Sequence, residues 1–365
     1  MSTWIAEPRS SLVVGDGRPI SAGAPARALS FPWPSTLAGM VRSRIGLDAQ
    51  GVFTLSRDEA LAIAIGGPWL AVLDGAGQVE DWAFPAPADA VWFDEEGVEP
   101  KKNRRRRLRL RPTPLQPGES CDREGALLAL APCDFNVMVK VSRQAPAFWT
   151  WRELERWLMQ PVDVFQEEKP GGFGLLPLTR DRRVHVAIDP ERRTADDGRL
   201  FMSEGLCFRR RDGATALAFV CERPGLEGGV ATLGGERRLV NLRSSEAALP
   251  AFSEALVERI TETRRARVLL LTPGIFAAGY APTHIGGAEV SAAAVGRPLS
   301  ISGWDVAKGR PKPSRRAAPA GSVYWVDLPA ALDPRQWLEG IWLRAIADEP
   351  QDQRDGFALS LVGVA

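Results

Sequence analysis

The C-terminal third of the chain shows the most regular pattern of apolar and polar positions. Residues 250–263 repeat apolar side chains at helical spacing, and the apolar run at 268–271 is typical of a strand buried on both faces. A second helix is predicted from Asp333-Pro334, because Asp is a preferred N-cap and Pro is favoured at the first helical position. The strands around these helices are predicted at residues 238–242, 267–272, 322–328 and 357–362. The resulting order, β-α-β followed by β-α-β, is the ferredoxin-like arrangement.

The N-terminal part of the chain contains the signals of three further helices. Apolar residues at helical spacing predict a first helix that opens at Ser35 or Thr36, the expected N-caps, and ends at Gly46. The other two are predicted where a Ser or Thr is followed three residues later by Glu, the capping-box pattern. They begin at Ser56, with Glu59, and at Thr150, with Glu153, and the first of them is predicted to end at Gly66-Gly67.

Three long segments lack a regular pattern. A predicted hairpin over residues 69–84 is followed by a loop-rich insertion at 85–120, whose arginine run is expected to form an exposed basic tip. Residues 160–205 are also irregular, apart from an alternating strand at 184–188. The excursion at 273–321 interrupts the C-terminal unit, and an excursion of this length inside a compact domain is usually functional or disordered.

Length and composition indicate a globular protein of two domains or of one large domain. The chain has 365 residues, of which 45% are hydrophobic and 25% charged, which excludes a disordered chain. We predict an α+β protein with units at 1–225 and 226–365, both with long loop and hairpin insertions, and the strand and helix order predicts a ferredoxin-like (RRM-like) fold for the second unit. No run approaches the about 18 apolar residues of a membrane helix, and no signal peptide is visible, so we expect a cytoplasmic protein with no membrane partner.

Arginine is concentrated in short clusters although the net charge is only +1. The clusters lie at residues 104–107, 180–183, 209–211, 237–238, 264–267 and 310–316. A solvated arginine-rich surface would explain any one of them, but so many clusters in a neutral chain indicate basic stripes. The planar guanidinium binds phosphate and stacks on bases, so these stripes favour a nucleic-acid partner.

Cysteine and histidine content narrows the chemistry. The four cysteines have no zinc-site spacing, and the only histidines are His185 and His284. No metalloprotease, nucleophile-elbow, phosphate-loop or dinucleotide-binding motif occurs. We therefore expect no metal site and no cofactor, and most enzyme classes with recognisable signatures are absent.

The excursion at 273–321 and the first helix supply most of the candidate RNA contacts. In the excursion the candidates are Gly274, Tyr280, Gly303, Trp304, Arg310, Lys312, Arg315 and Arg316. Close-approach glycines, aromatic side chains and basic residues on a proline-stiffened loop are the composition of a segment that grips a nucleic-acid backbone. The start of the first helix, at Ser35 and Thr36, offers N–H groups to a phosphate, with Arg42 and Arg44 further along. Arg237 and Arg238 are predicted to face the same cleft, with simple solvent exposure as the alternative.

Six short motifs, in order along the chain, resemble the Cas-five-like RAMP subunit of type III-B CRISPR effector (Cmr) complexes, the third subunit of that assembly. The motifs are Glu7-Pro8-Arg9 leading to Gly15-Asp16-Gly17-Arg18-Pro19, Pro34 to Arg42, His185 to Asp189 followed by Arg199-Leu200-Phe201, Gly234 to Arg238, Leu271 to Phe276, and Gly303-Trp304-Asp305 with Arg310 to Pro313. Residues 85–180 match least, and Ile20 stands where the family has an aromatic residue.

The resemblance implies two ferredoxin-like domains and a non-catalytic subunit that holds the repeat-derived 5′ tag of the CRISPR RNA. It implies contacts with the large cyclase/polymerase-like subunit and with the backbone RAMP subunit, and only an indirect relation to target RNA. Cleavage of target RNA belongs to the backbone subunit in this family. The motif that contains Arg18 adds this residue to the RNA-binding candidates.

Two other functions stay open. A metal-independent RAMP endoribonuclease that processes the CRISPR RNA precursor would need a general acid or base, for which His284 in the glycine-rich excursion is a better candidate than His185 in an alternating strand. A protein scaffold without RNA contact would show no salt-dependent RNA binding.

Overall fold

The computed structural model describes residues 2–15, 29–95, 104–115, 117–118, 127–133, 141–142, 145–167, 173–210, 213–305 and 309–365. Its helices are α1 (Pro34–Gly46), α2 (Arg57–Ala62), α3 (Trp151–Met159), α4 (Glu254–Thr263), α5 (Pro334–Ile341) and α6 (Pro350–Asp355). None of these helices is long and apolar enough to cross a membrane.

The strands up to residue 221 are β1 (Ser2–Pro8), β2 (Ile65–Leu73), β3 (Val79–Pro85), β4 (Ala90–Glu95), β5 (Arg104–Thr113), β6 (Ala129–Pro132), β7 (Phe148–Thr150), β8 (Val164–Glu167), β9 (Thr179–Ile188), β10 (Ala195–Cys207), β11 (Arg209–Arg210) and β12 (Gly213–Cys221). The later strands are β13 (Gly229–Thr232), β14 (Leu239–Ser245), β15 (Arg265–Leu270), β16 (His284–Ile285), β17 (Ala288–Ala294), β18 (Leu299–Ile301), β19 (Trp304–Asp305), β20 (Arg310–Pro311), β21 (Arg315–Ala317), β22 (Val323–Asp327) and β23 (Ser360–Val364).

Two antiparallel sheets form the body of the protein. The first has the order β13-β14-β1-β12-β2-β3-β7, with β11 beside β12, and the second has the order β16-β17-β22-β15-β23. The predicted hairpin of β2 and β3 is confirmed. A smaller sheet of β4, β5, β6 and β8 is formed by the insertion after β3, and β9 pairs with β10 in a hairpin of its own.

The side-chain alternation of the strands produces four layers. In β12, Leu217 and Phe219 pack under α1, whereas Ala216 and Ala218 face the second sheet. In the second sheet, the 268–271 run alternates in the same way between α4 and α5 on one side and the first sheet on the other. Both sheets are therefore buried on two faces, which is why their central strands are almost continuously apolar.

The observed sheets confirm a mixed α+β protein, but the two ferredoxin-like domains are not confirmed. The strand predicted to open the C-terminal unit is β14, and it pairs with β1 in the first sheet. Its inward residues Val240 and Leu242 belong to the core beneath α1, so burial places this strand with the N-terminal half. The domain boundary at 225/226 stays a prediction.

Local capping chemistry sets two helix starts as predicted. At α2 the Ser56 hydroxyl accepts a hydrogen bond from the Glu59 N–H at 3.2 Å, and the Glu59 carboxylate accepts one from the Ser56 N–H at 2.8 Å. This helix ends at Ala62, so Gly66-Gly67 lie in β2 and the predicted end is wrong. At α5 the Asp333 carboxylate accepts from the Gln336 N–H at 2.8 Å, as predicted.

Two predicted caps are wrong. α1 begins at Pro34, whose fixed φ suits the first helical position, so Trp33 is the N-cap and Ser35 and Thr36 lie inside the helix. At α3, Thr150 makes no side-chain cap bond. The N–H of Trp151, the first residue of the helix, donates to the Asp81 carboxylate of the neighbouring strand β3. Burial of this carboxylate raises the pKa of Asp81.

The N-terminal and C-terminal halves of the chain come into backbone contact at two glycines. Gly356 has a φ of +90°, and a Cβ on it would lie 2.7 Å from the carbonyl oxygen of Ile65 in β2. A Cβ on Gly363 would lie 2.8 Å from the carbonyl oxygen of Leu158 in α3. These positions exclude any side chain, so the halves pack as one body.

Candidate nucleic-acid interface

The excursion at 273–321 is largely paired into strands. Its first part adds β16 and β17 to the second sheet. In its second part β18 pairs with β21 and β19 pairs with β20, and residues 299–305 and 309–317 are called the basic hairpin below. At its middle, the Lys312 N–H donates to the Gly303 carbonyl at 2.7 Å, and the Ser302 hydroxyl donates to the Lys312 carbonyl at 2.8 Å. The predicted loop is thus a paired scaffold for its cations.

Three cations of the basic hairpin face solvent. Arg310, Lys312 and Arg316 are exposed, and within the described ranges none of them forms an ion pair. Trp304 lies in β19 with its backbone paired to Pro311, and its side chain falls outside the described part of the chain. This hairpin keeps the largest group of predicted RNA contacts together.

Arg315, the remaining predicted contact of the basic hairpin, is held by the protein itself. Its guanidinium binds both carboxylate oxygens of Asp352 in α6, at 2.6 and 2.8 Å. Arg315 is therefore paired within the protein, and its contact with RNA stays a prediction.

Gly274 and Tyr280 have different surroundings from those predicted. Gly274 is buried and pairs with Ala318, and a Cβ on it would lie 2.6 Å from the Phe276 ring. It serves close packing rather than close approach of a strand. Tyr280 is 46% exposed, and its carbonyl accepts a hydrogen bond from the buried Tyr324 hydroxyl at 2.6 Å, so its ring remains available at the surface.

The two arginines of α1 also bind protein groups. Arg42 forms an ion pair with Asp355 of α6 at 2.7 Å and donates to the Ile63 carbonyl at 3.0 Å. Arg44 donates to the Gly228 carbonyl at 3.1 Å. Both therefore fix α1 in place, and their contact with a phosphate stays a prediction. Ser35 and Thr36 are half-buried in its first turn.

Arg237 and Arg238 lie in the turn between β13 and β14. Arg237 is exposed with a φ of +51°, next to Glu236 at +55°. Arg238 forms an ion pair with Glu236 at 2.6 Å, so the two arginines differ in availability. The Gly235 N–H donates to the Val13 carbonyl at 2.7 Å, and this bond anchors the turn to the segment that follows β1. Arg18 lies outside the described residues.

The long hairpin of β9 and β10 was missed by the sequence analysis beyond residues 184–188. On one face the His185 ring stacks on Phe201, with centroids 5.1 Å apart and planes 15° apart, and Phe201 is 51% exposed. The other face carries exposed apolar side chains: Val184, Val186, Leu200 and Met202. A two-stranded hairpin with solvent on both faces does not require apolar and polar side chains to alternate. The alternation that usually identifies a strand is therefore absent from β10. The available signal was a pair of short, mostly apolar segments, Val184-His185-Val186 and Leu200-Phe201-Met202.

The two histidines are engaged with neighbouring hydroxyl groups. The Nε2 of His185 lies 2.8 Å from the Ser203 hydroxyl, and the Nδ1 of His284 lies 3.2 Å from the Thr283 hydroxyl. Within the described ranges no group of His, Cys, Asp and Glu side chains could hold a metal ion.

The arginine run at 104–107 belongs to strand β5, and Arg107 is buried instead of lying at an exposed tip. Arg107 of β5 is 4% exposed, and its guanidinium lies 4.6 Å from the ring centroid of Trp157 and 4.9 Å from that of Phe173. Desolvation lowers the pKa of Arg107, and likewise of Arg109, to about 10. These side chains pack inside the protein and are not surface contacts.

A fully buried aspartate balances this interior charge. Asp89 accepts a hydrogen bond from the Trp157 indole N–H at 3.0 Å and forms an ion pair with Arg267 of β15. Arg107, Arg109, Arg267 and Asp89 are called the buried arginine cluster below. The cluster joins the small sheet of the insertion to the second sheet.

The fold and the surface are those of an antiparallel α+β protein that presents exposed cations on a paired hairpin. The family model described as CRISPR-associated protein (Cas_Cmr3) matches residues 4–365. The chain therefore belongs to the Cmr3 family and is a subunit of a type III-B CRISPR effector, which confirms the resemblance found in the sequence.

A solved structure with a TM-score of 0.50 shows a similar fold at low identity. A chain of the cryo-EM structure of the Type III-B Cmr-beta bound to cognate target RNA and AMPPnP, state 1, has a TM-score of 0.50 and 16% identity, covering 88% of this chain and 86% of that chain. A chain of the Type III-B Cmr-beta bound to cognate target RNA has a TM-score of 0.48 and 17% identity, with the same coverage of 88% and 86%. No curated protein matches the chain.

Proposed function

We propose that this chain is a non-catalytic RNA-binding subunit that holds the 5′ tag of the CRISPR RNA in a type III-B effector. In this role it bridges the large cyclase/polymerase-like subunit and the backbone RAMP subunit in the cytoplasm. The observation that carries the proposal is the basic hairpin, whose exposed Arg310, Lys312 and Arg316 form no ion pair in the described part of the chain.

Exposed cations on a paired scaffold suit a single-stranded RNA backbone. Each Lys or Arg that meets a phosphate releases condensed counterions, so such a contact gives affinity without reading the base. The stacked His185 and Phe201 on the long hairpin add a flat surface of the kind on which unpaired bases stack. RNA as a partner agrees with the similar fold found in a complex bound to target RNA.

The test is the salt dependence of RNA binding. Fluorescence anisotropy would follow a labelled CRISPR RNA with its 5′ tag, and the same RNA without the tag, over a series of KCl concentrations. Replacing Arg310, Lys312 and Arg316 together by Gln is expected to weaken binding and to reduce the slope of log K against log [KCl] by about 2, since each single-strand phosphate contact contributes about 0.7.

A matched variant controls for general loss of charge. Arg259→Gln removes an exposed arginine of α4 that is paired with Glu262, and we expect it to leave the slope unchanged. An unchanged slope in the triple variant would mean that the basic hairpin contacts protein. Equal binding of RNA with and without the tag would remove the tag from the proposal.

The endoribonuclease alternative makes an opposite prediction. It requires cleavage of repeat-containing RNA in EDTA that is lost in His284→Ala. On our proposal the chain leaves this RNA uncut at every protein concentration. In the described residues the side-chain hydrogen bonds of His185 and His284 are to the hydroxyls of Ser203 and Thr283, which supports this expectation.

A further inference from the structure

Helix α6 carries two buried carboxylates that each bind an arginine from a distant segment. Asp352 and Asp355 are 3% and 7% exposed and stand three residues apart, on one side of the helix. Asp355 binds Arg42 of α1, and Asp352 binds Arg315 of the basic hairpin. The two segments that the sequence analysis singled out for RNA binding are thus joined through one short helix.

The helix itself is held firmly against the first sheet. The Gln351 side chain donates to the Asp355 carboxylate at 2.8 Å and to the Leu61 carbonyl at 3.4 Å. Directly after the helix, Gly356 lies in backbone contact with β2. A side chain anchored on α6 is therefore anchored to the body of the protein.

Strand alternation gives the neighbouring arginines of β21 opposite roles. Arg315 is opposite Ile301 and Arg316 is opposite Ser300, so their side chains leave the hairpin on different faces. One guanidinium is held in a two-point contact by Asp352, and the other is exposed. A two-point arginine–carboxylate contact fixes direction as well as distance.

We infer that Asp352 is a positioning residue for RNA binding, which holds the basic hairpin at a fixed angle to the protein body through Arg315. This inference rests on the proposed function of the basic hairpin. A hairpin held in its binding position costs less ordering on association than one that must be immobilised by the RNA.

The direction in which one substitution changes RNA affinity distinguishes positioning from simple electrostatics. Asp352→Asn removes a negative charge close to the basic hairpin, so charge alone predicts tighter RNA binding. Loss of positioning predicts weaker binding, by about three- to tenfold, with an unchanged salt slope. Glu349→Gln is the charge-matched control, because Glu349 is an exposed acid just before α6 that acts on Arg315 through its charge and whose side chain makes no hydrogen bond to a described residue.

The experiment combines that binding assay with amide hydrogen exchange of the RNA-free protein. Asp352→Asn and Arg315→Gln are expected to speed exchange in residues 299–303 and 314–317, whereas Glu349→Gln and Arg316→Gln leave it unchanged. Arg316→Gln is expected to lower the salt slope by about 0.7, and Arg315→Gln to leave it unchanged. Circular dichroism confirms that each variant is folded, and Arg315→Gln replaces Asp352→Asn if the latter unfolds.

Two results would overturn the inference: tighter or unchanged RNA binding by Asp352→Asn, or unchanged exchange in the basic hairpin of both variants. If the wild-type chain bound no RNA, the proposed function would fail, and the exchange measurement would still decide whether Asp352 positions the hairpin.

Discussion

Removing the charge of Asp89 tests the electrostatics of the buried arginine cluster. Asp89→Asn keeps the shape of the side chain, so no cavity forms, but it leaves Arg267 without its buried counterion. Arg107 and Arg109 lie nearby and are also desolvated. Taking one partner out of a buried ion pair costs about 3–5 kcal/mol, because the other charge remains in a medium of low polarity.

The expected change in melting temperature follows from the size of the protein. With an unfolding entropy of about 2.1 cal/mol/K per residue, a chain of this length loses about 4–7 °C for that change in free energy. Differential scanning calorimetry at neutral pH would measure it. Asp94→Asn, an exposed position on β4, is the control and is expected to change stability by less than about 0.5 kcal/mol.

A double variant separates the charge from the packing. Replacing Asp89 by Leu and Arg267 by Met removes both charges and is expected to cost less than the sum of the single changes, with a coupling of about 1–3 kcal/mol. If Asp89→Asn alone cost less than about 1 kcal/mol, the cluster would not depend on this carboxylate, and our account of the buried charges would be refuted.

Two further predictions concern backbone contact and pH. Gly356→Ala is expected to destabilise the protein by at least about 2 kcal/mol, because a Cβ at a φ of +90° would overlap a backbone oxygen of β2. A melting temperature equal to that of the wild type would contradict this contact. In the long hairpin, burial raises the pKa of Glu204, but hydrogen bonds from Arg182 and Arg180 outweigh burial, and the net pKa is lowered. The ionised carboxylate therefore stabilises the hairpin at neutral pH. This stabilisation is lost as the pH falls through the lowered pKa. Glu204→Gln should therefore speed amide exchange in β9 and β10 at pH 7 and match the wild type in strong acid; a difference that persists in acid would assign the effect to packing.

Elements specified by neighbouring residues could be predicted from the sequence. The capping box of α2 and the Asp333 cap of α5 depend on groups within three residues, and both are present. The cap of α3 could not be predicted, because its acceptor, Asp81, is brought there by pairing of β3 with β7. The sheet that contains β14 likewise depends on contacts with distant strands.

The same distinction applies to the candidate interface. The sequence identified the basic residues of the excursion correctly as one group, but it could not tell Arg315 from Arg316. The difference lies in Asp352, which is 37 residues away from Arg315 in the chain. The arginine run of β5 looked like a solvated surface for a similar reason, since the aromatic rings that enclose Arg107 come from four other segments.

The backbone contacts of Gly356 and Gly363 help to fix the distance between the long hairpin and the basic hairpin. The long hairpin arises from the first sheet, through β11 and β12, and the basic hairpin arises from the second sheet, between β17 and β22. The two sheets share one core, and Gly356 after α6 and Gly363 of β23 lie in backbone contact with β2 and α3, so the interval between the hairpins is a property of the folded chain. An RNA strand that contacts both hairpins must span that interval, so the folded protein sets the length of RNA between the two contacts.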